Sequence, residues 1–96
     1  MPLLSKLHSL KDEIYRIAHR HNALQVYVFG SCARGEEDAQ SDVDLLVDFL
    51  PHATLFDQVH LQNEISSLLD CKVDVVSKRG LHPYIRKNVL AEAVIL

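Results

Sequence analysis

Gln25-Val26-Tyr27-Val28-Phe29-Gly30-Ser31-Cys32-Ala33-Arg34-Gly35, followed after a short polar stretch by Ser41-Asp42-Val43-Asp44-Leu45-Leu46-Val47-Asp48-Phe49, decides the fold of this chain. Residues 25–29 are β-branched and aromatic and stop at a glycine, which reads as a short buried strand. Gly30-Ser31-Cys32-Ala33-Arg34-Gly35 then opens what reads as a helical turn. Its backbone N–H groups and the Ser31 hydroxyl are suited to hold an anion, and a phosphate fits that position. Residues 43–49 form a second strand, closed by Pro51.

Working outward, Leu3, Leu7, Leu10, Ile14 and Ile17 recur at alternating steps of four and three, one stripe of a single amphipathic helix over residues 3–22. Downstream, Thr54 with Asp57 three residues on is an acidic variant of the capping box. The helix it starts should bury Leu61, Ile65, Leu68 and Leu69 and end near Asp70. Val73-Asp74-Val75-Val76 gives a third strand and Ser77-Lys78-Arg79-Gly80 a loop. From His82 to the end, Pro83 suits a first helical turn, and Ile85, Val89, Leu90 and Ala93 define a final helix. No repeat or linker interrupts the alternation of helix and strand, so residues 1–96 are expected to form a single α/β domain, a small mixed sheet of about three strands packed with helices.

Composition narrows the function classes. The formal charge is −3 and no run of Lys or Arg exceeds two residues, which argues against a direct nucleic-acid surface, since that needs clustered cations to displace counterions. No apolar run approaches the roughly 20 residues of a membrane span, and the expected setting is the cytoplasm. Cys32 and Cys71 lie far apart without metal-ligand spacing and read as reduced thiols. The six histidines are scattered and suggest no metal site. A domain of this size buries roughly two thirds of its unfolded surface, so a homo- or hetero-oligomer would add to a modest stability.

The carboxylates carry the chemistry. Asp42 and Asp44 are two residues apart and leave the strand by one face, about 7 Å apart along the backbone, while Val43, Leu45 and Val47 leave by the other. Their mutual repulsion at that spacing is about 2–3 kcal/mol at an effective dielectric of 20, so a site that keeps both ionised wants a cation. Hard oxygen donors favour Mg²⁺ or Mn²⁺. Asp74, between Val73 and Val75, leaves its own strand by the face opposite the valines and could share that face. Each aspartate alone is as well explained by a cap, a turn or a solvated strand end; the three together with the glycine turn upstream read as a metal site. Asp48 lies about 13 Å beyond Asp44 along the strand, too far to share an ion, and reads as solvated.

These residues resemble the minimal nucleotidyltransferase (MNT) proteins of the DNA polymerase β superfamily, whose signature is a Gly-Ser turn, an Ala-Arg-Gly continuation and Ser-Asp-x-Asp-Leu about ten residues on. Gly30-Ser31-Cys32-Ala33-Arg34-Gly35 and Ser41-Asp42-Val43-Asp44-Leu45 match it, and the likeness extends through the strand around Asp74 to the C-terminal segment. It implies a polymerase β-like fold in which Gly30 and Ser31 hold the triphosphate of ATP, Asp42 and Asp44 ligate two Mg²⁺ ions, and Asp74 completes the metal site and serves as general base. Arg34 either supports the phosphates or is solvated. Cys32 stands where the family often has arginine, and a small residue packed under the turn accounts for it.

A chain of this length has no residues left for an acceptor-binding domain. MNT proteins of this size resemble the antitoxin halves of toxin–antitoxin pairs, whose HEPN-family ribonuclease toxin is silenced by transfer of AMP to a tyrosine. The resemblance therefore implies a protein adenylyltransferase antitoxin with a HEPN-type partner. Two alternatives stand beside it: an antitoxin that masks its toxin without chemistry, and nucleotidyl transfer to a small molecule. The apolar terminus Ala91-Glu92-Ala93-Val94-Ile95-Leu96 should dock on its own core or enter a subunit contact, the first being the default.

Overall fold

The structure is a computed structural model that describes residues 3–30, 33 and 43–96. The N-terminal stripe is carried by two helices, α1 (Leu3–Ser9) and α2 (Lys11–Arg20), where one was expected. The break falls at Leu10, whose N–H is shared between the carbonyls of Lys6 and Leu7 at 3.1 and 3.2 Å. Ser9 contributes to it by donating its hydroxyl to the Lys6 carbonyl at 2.7 Å, a local bond that competes with the helix ladder. The apolar periodicity survives the break because Ile14 N–H still reaches the Leu10 carbonyl, and Leu7, Ile14, Ile17 and Ala18 are all buried. Asn22, at φ 61°, turns the chain into the sheet; asparagine tolerates the left-handed region better than most residues.

The sheet comprises β1 (Ala23–Phe29), β2 (Val43–Phe49), β3 (Val73–Ser77) and β4 (Val94–Ile95), in the order β3-β2-β1-β4. β1 runs antiparallel to β2 and β4, and β2 runs parallel to β3. Between β2 and β3 lies α3 (Leu55–Leu69), started by the expected capping box: Thr54 Oγ1 accepts from the Asp57 N–H, and Asp57 Oδ2 accepts from the Thr54 N–H at 2.9 Å. Asn22 Nδ2 donates to the same carboxylate oxygen. The Thr54 backbone bond, then the Asn22 bond, hold the Asp57 carboxyl below its ordinary value of 3.8. Of the expected stripe, Leu61, Ile65 and Leu69 are buried and Leu68 is part-buried. The Lys6 ammonium donates to the Leu69 carbonyl at 3.1 Å, a cation at the helix C-terminus where the dipole favours it.

One face of the sheet, built from Val26, Val28, Val43, Leu45, Val47, Val73 and Val75, packs against these helices to make the core. α3 also closes the outer margin of β3: Gln58 Nε2 donates to the Val75 carbonyl at 3.0 Å, and Gln62 Oε1 accepts from the Val75 N–H at 2.9 Å.

The C-terminal segment differs from expectation. After a short 3₁₀ turn (Lys78–Gly80), α4 (Pro83–Glu92) begins with Pro83 and with His82 Nδ1 accepting from the Tyr84 N–H. It stops at Glu92 instead of running to the end. Ala93 is extended (φ −64°, ψ 133°), and Val94 and Ile95 pair with Val28 and Tyr27 as a fourth strand. Two β-branched residues beside an unpaired margin of β1 favour a strand over another helical turn. The intended stripe of α4 is not buried, with Ile85 51% and Leu90 37% exposed. Leu96 instead carries the docking: it is 3% exposed, its N–H donates to the Val26 carbonyl, and its own carbonyl lies 3.2 Å from the Tyr15 hydroxyl. Among the described residues no helix is long and apolar enough to cross a membrane.

Candidate active site

The alternation that buries Val43, Leu45 and Val47 sends Asp44 out of the opposite face of β2, and the alternation that buries Val73 and Val75 does the same for Asp74. Parity alone does not say whether the two meet. The register does: Phe29 pairs with Asp44 and Asp44 pairs with Asp74, so the three lie in one row across β1, β2 and β3. Residues paired across neighbouring strands are about 5 Å apart, closer than the two-residue step between Asp42 and Asp44 implied by sequence. Both carboxylates are part-exposed.

Gly30 follows Phe29 directly at the end of β1, one residue beyond that row. It has φ +74°, and a Cβ built on it would sit 2.6 Å from Asp44 Oδ2. The glycine is therefore needed twice, for a left-handed backbone and for the space in which the Asp44 carboxylate rests against the turn. The strand-to-turn corner and the Asp44 carboxylate are in contact.

Of the six residues expected at the site, the structure brings Gly30, Asp44 and Asp74 together. Ser31, Arg34 and Asp42, with Cys32, lie outside the described residues. Among the described residues no three His, Cys, Asp or Glu side chains form a metal-holding group. Asp44 and Asp74 supply two hard oxygen donors side by side, a donor set suited to Mg²⁺ or Mn²⁺ and unsuited to a soft metal. Asp48 is part-buried on the same face, opposite Gln25 and beyond the reach of a shared ion.

The next row on this face was not read from sequence as part of a site. Tyr27, Leu46 and Val76 are in register across β1, β2 and β3, and Leu46 is fully buried although it lies outside the main core cluster. The Lys78 ammonium lies over the Tyr27 ring, 5.7 Å from its centroid. The signal available in the sequence was parity: Tyr27 is two residues before Phe29, and Lys78 is four residues after Asp74.

Gly30 thus packs on Asp44 of the adjoining strand, and Asp74 stands in register with Asp44 on the parallel neighbour. The chain belongs to the polymerase beta nucleotidyltransferase family, whose profile, described as "Polymerase beta, Nucleotidyltransferase", matches residues 12–96. Protein adenylyltransferase MntA of Thermococcus cleftensis is 40% identical over 78 residues, which cover 81% of this chain and 79% of that one. A solved structure described as a candidate minimal nucleotidyltransferase superposes with a TM-score of 0.87 at 44% identity, covering 97% of this chain and 95% of that one. At 19% identity, a likeness of fold alone, the chain also matches one from the complex of a tri-AMPylated Shewanella oneidensis HEPN toxin with an MNT antitoxin (TM-score 0.69; 92% of this chain and 69% of that one).

Proposed function

We propose that this protein is a metal-dependent protein adenylyltransferase of the MNT antitoxin type, transferring AMP from ATP to a tyrosine of a HEPN-type toxin in the cytoplasm, with residues 1–96 acting as a single domain. The observation that carries it is the registered Asp44–Asp74 pair resting against the Gly30 corner. The name of the Thermococcus relative and the modified toxin in the Shewanella complex support the choice of AMP and of a HEPN acceptor.

In this reading Asp42, Asp44 and Asp74 would hold two Mg²⁺ ions, with Ser31, Arg34 and the backbone at Gly30 on the phosphates. Bound Mg²⁺ supplies charge neutralisation at the transferring phosphate and a lowered pKa for the attacking hydroxyl. The Gly30 corner binds and orients the triphosphate so that the α-phosphate faces the carboxylate row. Asp74, on the margin strand of the row, accepts the proton of the tyrosine hydroxyl. The phenol oxygen forms a bond to the α-phosphorus, the bond from that phosphorus to the β-bridging oxygen breaks, and pyrophosphate departs with the electron pair. The products are an adenylylated tyrosine and diphosphate.

The test is transfer of label from α-labelled ATP, with Mg²⁺, to a HEPN-type toxin co-expressed with this chain. Label on a toxin tyrosine that is lost with Asp44→Ala supports the proposal. Absence of label with the wild type overturns it, as does undiminished label with Asp44→Ala. Neutralisation of the toxin that survives Asp42→Ala plus Asp44→Ala without a mass change on the toxin would select the binding-only antitoxin, and turnover without any protein partner would select a small-molecule acceptor.

A further inference from the structure

The face that carries Asp44 and Asp74 also carries Asp48, by the alternation along β2, so it presents a row and an outlier of negative charge to an even more negative substrate. A nucleotide triphosphate brought there would meet repulsion, which metal ions held by the carboxylate row would offset in part. Among the described residues of the strands and of the turn after β3, Lys78 is the cation on this face.

Its position is informative. Lys78 follows Ser77, which is level with Val47, and opens the 3₁₀ turn after β3. The ammonium forms no ion pair with a described carboxylate and lies instead over Tyr27, a residue level with Leu46 and one same-face step, about 7 Å, from the Phe29–Asp44–Asp74 row. Lys78 is part-buried and reaches from the end of β3 to Tyr27 on β1, which is in register with Leu46 and Val76 between them. A ring contact holds an ammonium more weakly than a phosphate oxygen does, so the ring keeps the cation placed and releases it to an anion.

We propose that Lys78, positioned by Tyr27, binds the phosphate chain of the donor nucleotide one row away from the carboxylates. The inference rests on the nucleotidyltransferase reading above and assigns a cation that the Gly-Ser and Asp-x-Asp signature does not contain.

Binding of ATP, AMP and adenosine, each with Mg²⁺, is measured by calorimetry on the wild type and on Lys78→Met, Lys78→Arg and Tyr27→Phe. Lys78→Met keeps the apolar stem and removes the charge, so it should weaken ATP by about 10- to 100-fold, AMP less, and adenosine not at all. Lys78→Arg and Tyr27→Phe should stay within a few-fold of the wild type. Far-UV circular dichroism of each variant checks that the fold is kept. If the wild type binds ATP and Lys78→Met binds it within twofold, the inference falls while the proposed function stands. An equal loss for adenosine and ATP also overturns it, because the effect is then not on phosphate. A raised KM for the toxin with unchanged ATP affinity places Lys78 on the acceptor side and overturns it too. A wild type that binds no ATP removes both the inference and the reading on which it rests.

Discussion

Substituting Gly30 with alanine tests the contact on which the site reading depends, and its cost separates into two parts. The first is conformational. At φ +74° an alanine pays about 1–2 kcal/mol for the left-handed region, offset by about 0.4–1 kcal/mol from a less flexible unfolded chain, leaving about 1 kcal/mol. The second is steric. The new Cβ would sit 2.6 Å from Asp44 Oδ2, so either the carboxylate or the strand end must move, at about 1–2 kcal/mol. The sum, about 2–3 kcal/mol, should lower the urea midpoint by about 1–2 M for a domain of this size. A double-mutant cycle separates the parts. Asp44→Ala removes Oδ2 and leaves Cβ at 3.6 Å, an ordinary contact, so in that background Gly30→Ala should cost only the conformational part. A coupling of about 1–2 kcal/mol is the expected result. Equal costs in the two backgrounds would refute the claim that the turn and the carboxylate touch. In adenylylation assays, displacement of Asp44 by a fraction of an ångström to an ångström should lower the rate by about 100-fold, with little change in the affinity for toxin.

Three further outcomes follow from the same coordinates. Mg²⁺ should raise the melting temperature of the wild type and shift that of Asp44→Asn much less in a thermal scan, and equal shifts would detach Asp44 from the ion. The Asp57 carboxyl is held below 3.8 by the Thr54 backbone and Asn22, so the folded state binds its proton less readily than the unfolded one. Its contribution to stability is then present above about pH 4 and lost as pH falls through the lower folded value, and Asp57→Asn should flatten the acid limb of a stability-versus-pH curve. Leu96→Ala should cost about 2–4 kcal/mol in chemical denaturation, since the side chain is 3% exposed within the core; a cost near zero would mean that the terminus does not dock on its own sheet.

What was legible in the sequence was what depends on neighbours along the chain. The Thr54–Asp57 box, the bounds of β2 and the buried Leu61, Ile65 and Leu69 of α3 are local patterns and stand where they were read, while Leu68, read as buried with them, is part-buried. β4 was not legible, because Ala91-Glu92-Ala93 continues a helix as well as any triplet does and only the vacant margin of β1 makes Val94 and Ile95 a strand. The turn at Leu10 was hidden for the opposite reason: a one-residue irregularity that preserves the Ile14-to-Leu10 bond leaves the apolar stripe intact. At the site, alternation gave the face of Asp44 and Asp74, but their adjacency is a matter of register between strands some thirty residues apart, which no period along one strand encodes. The Tyr27–Lys78 contact is of the same kind, crossing the whole width of β2.

Gln58 and Gln62 have a consequence for assembly as well as for folding. By occupying the outward-facing amide and carbonyl of Val75, they give β3 side-chain partners where another chain would otherwise add a strand. Among the described strands the opposite edge of the sheet is the two-residue β4. Two glutamines one helical turn apart thus blunt one edge of this small sheet against the addition of a strand at Val75.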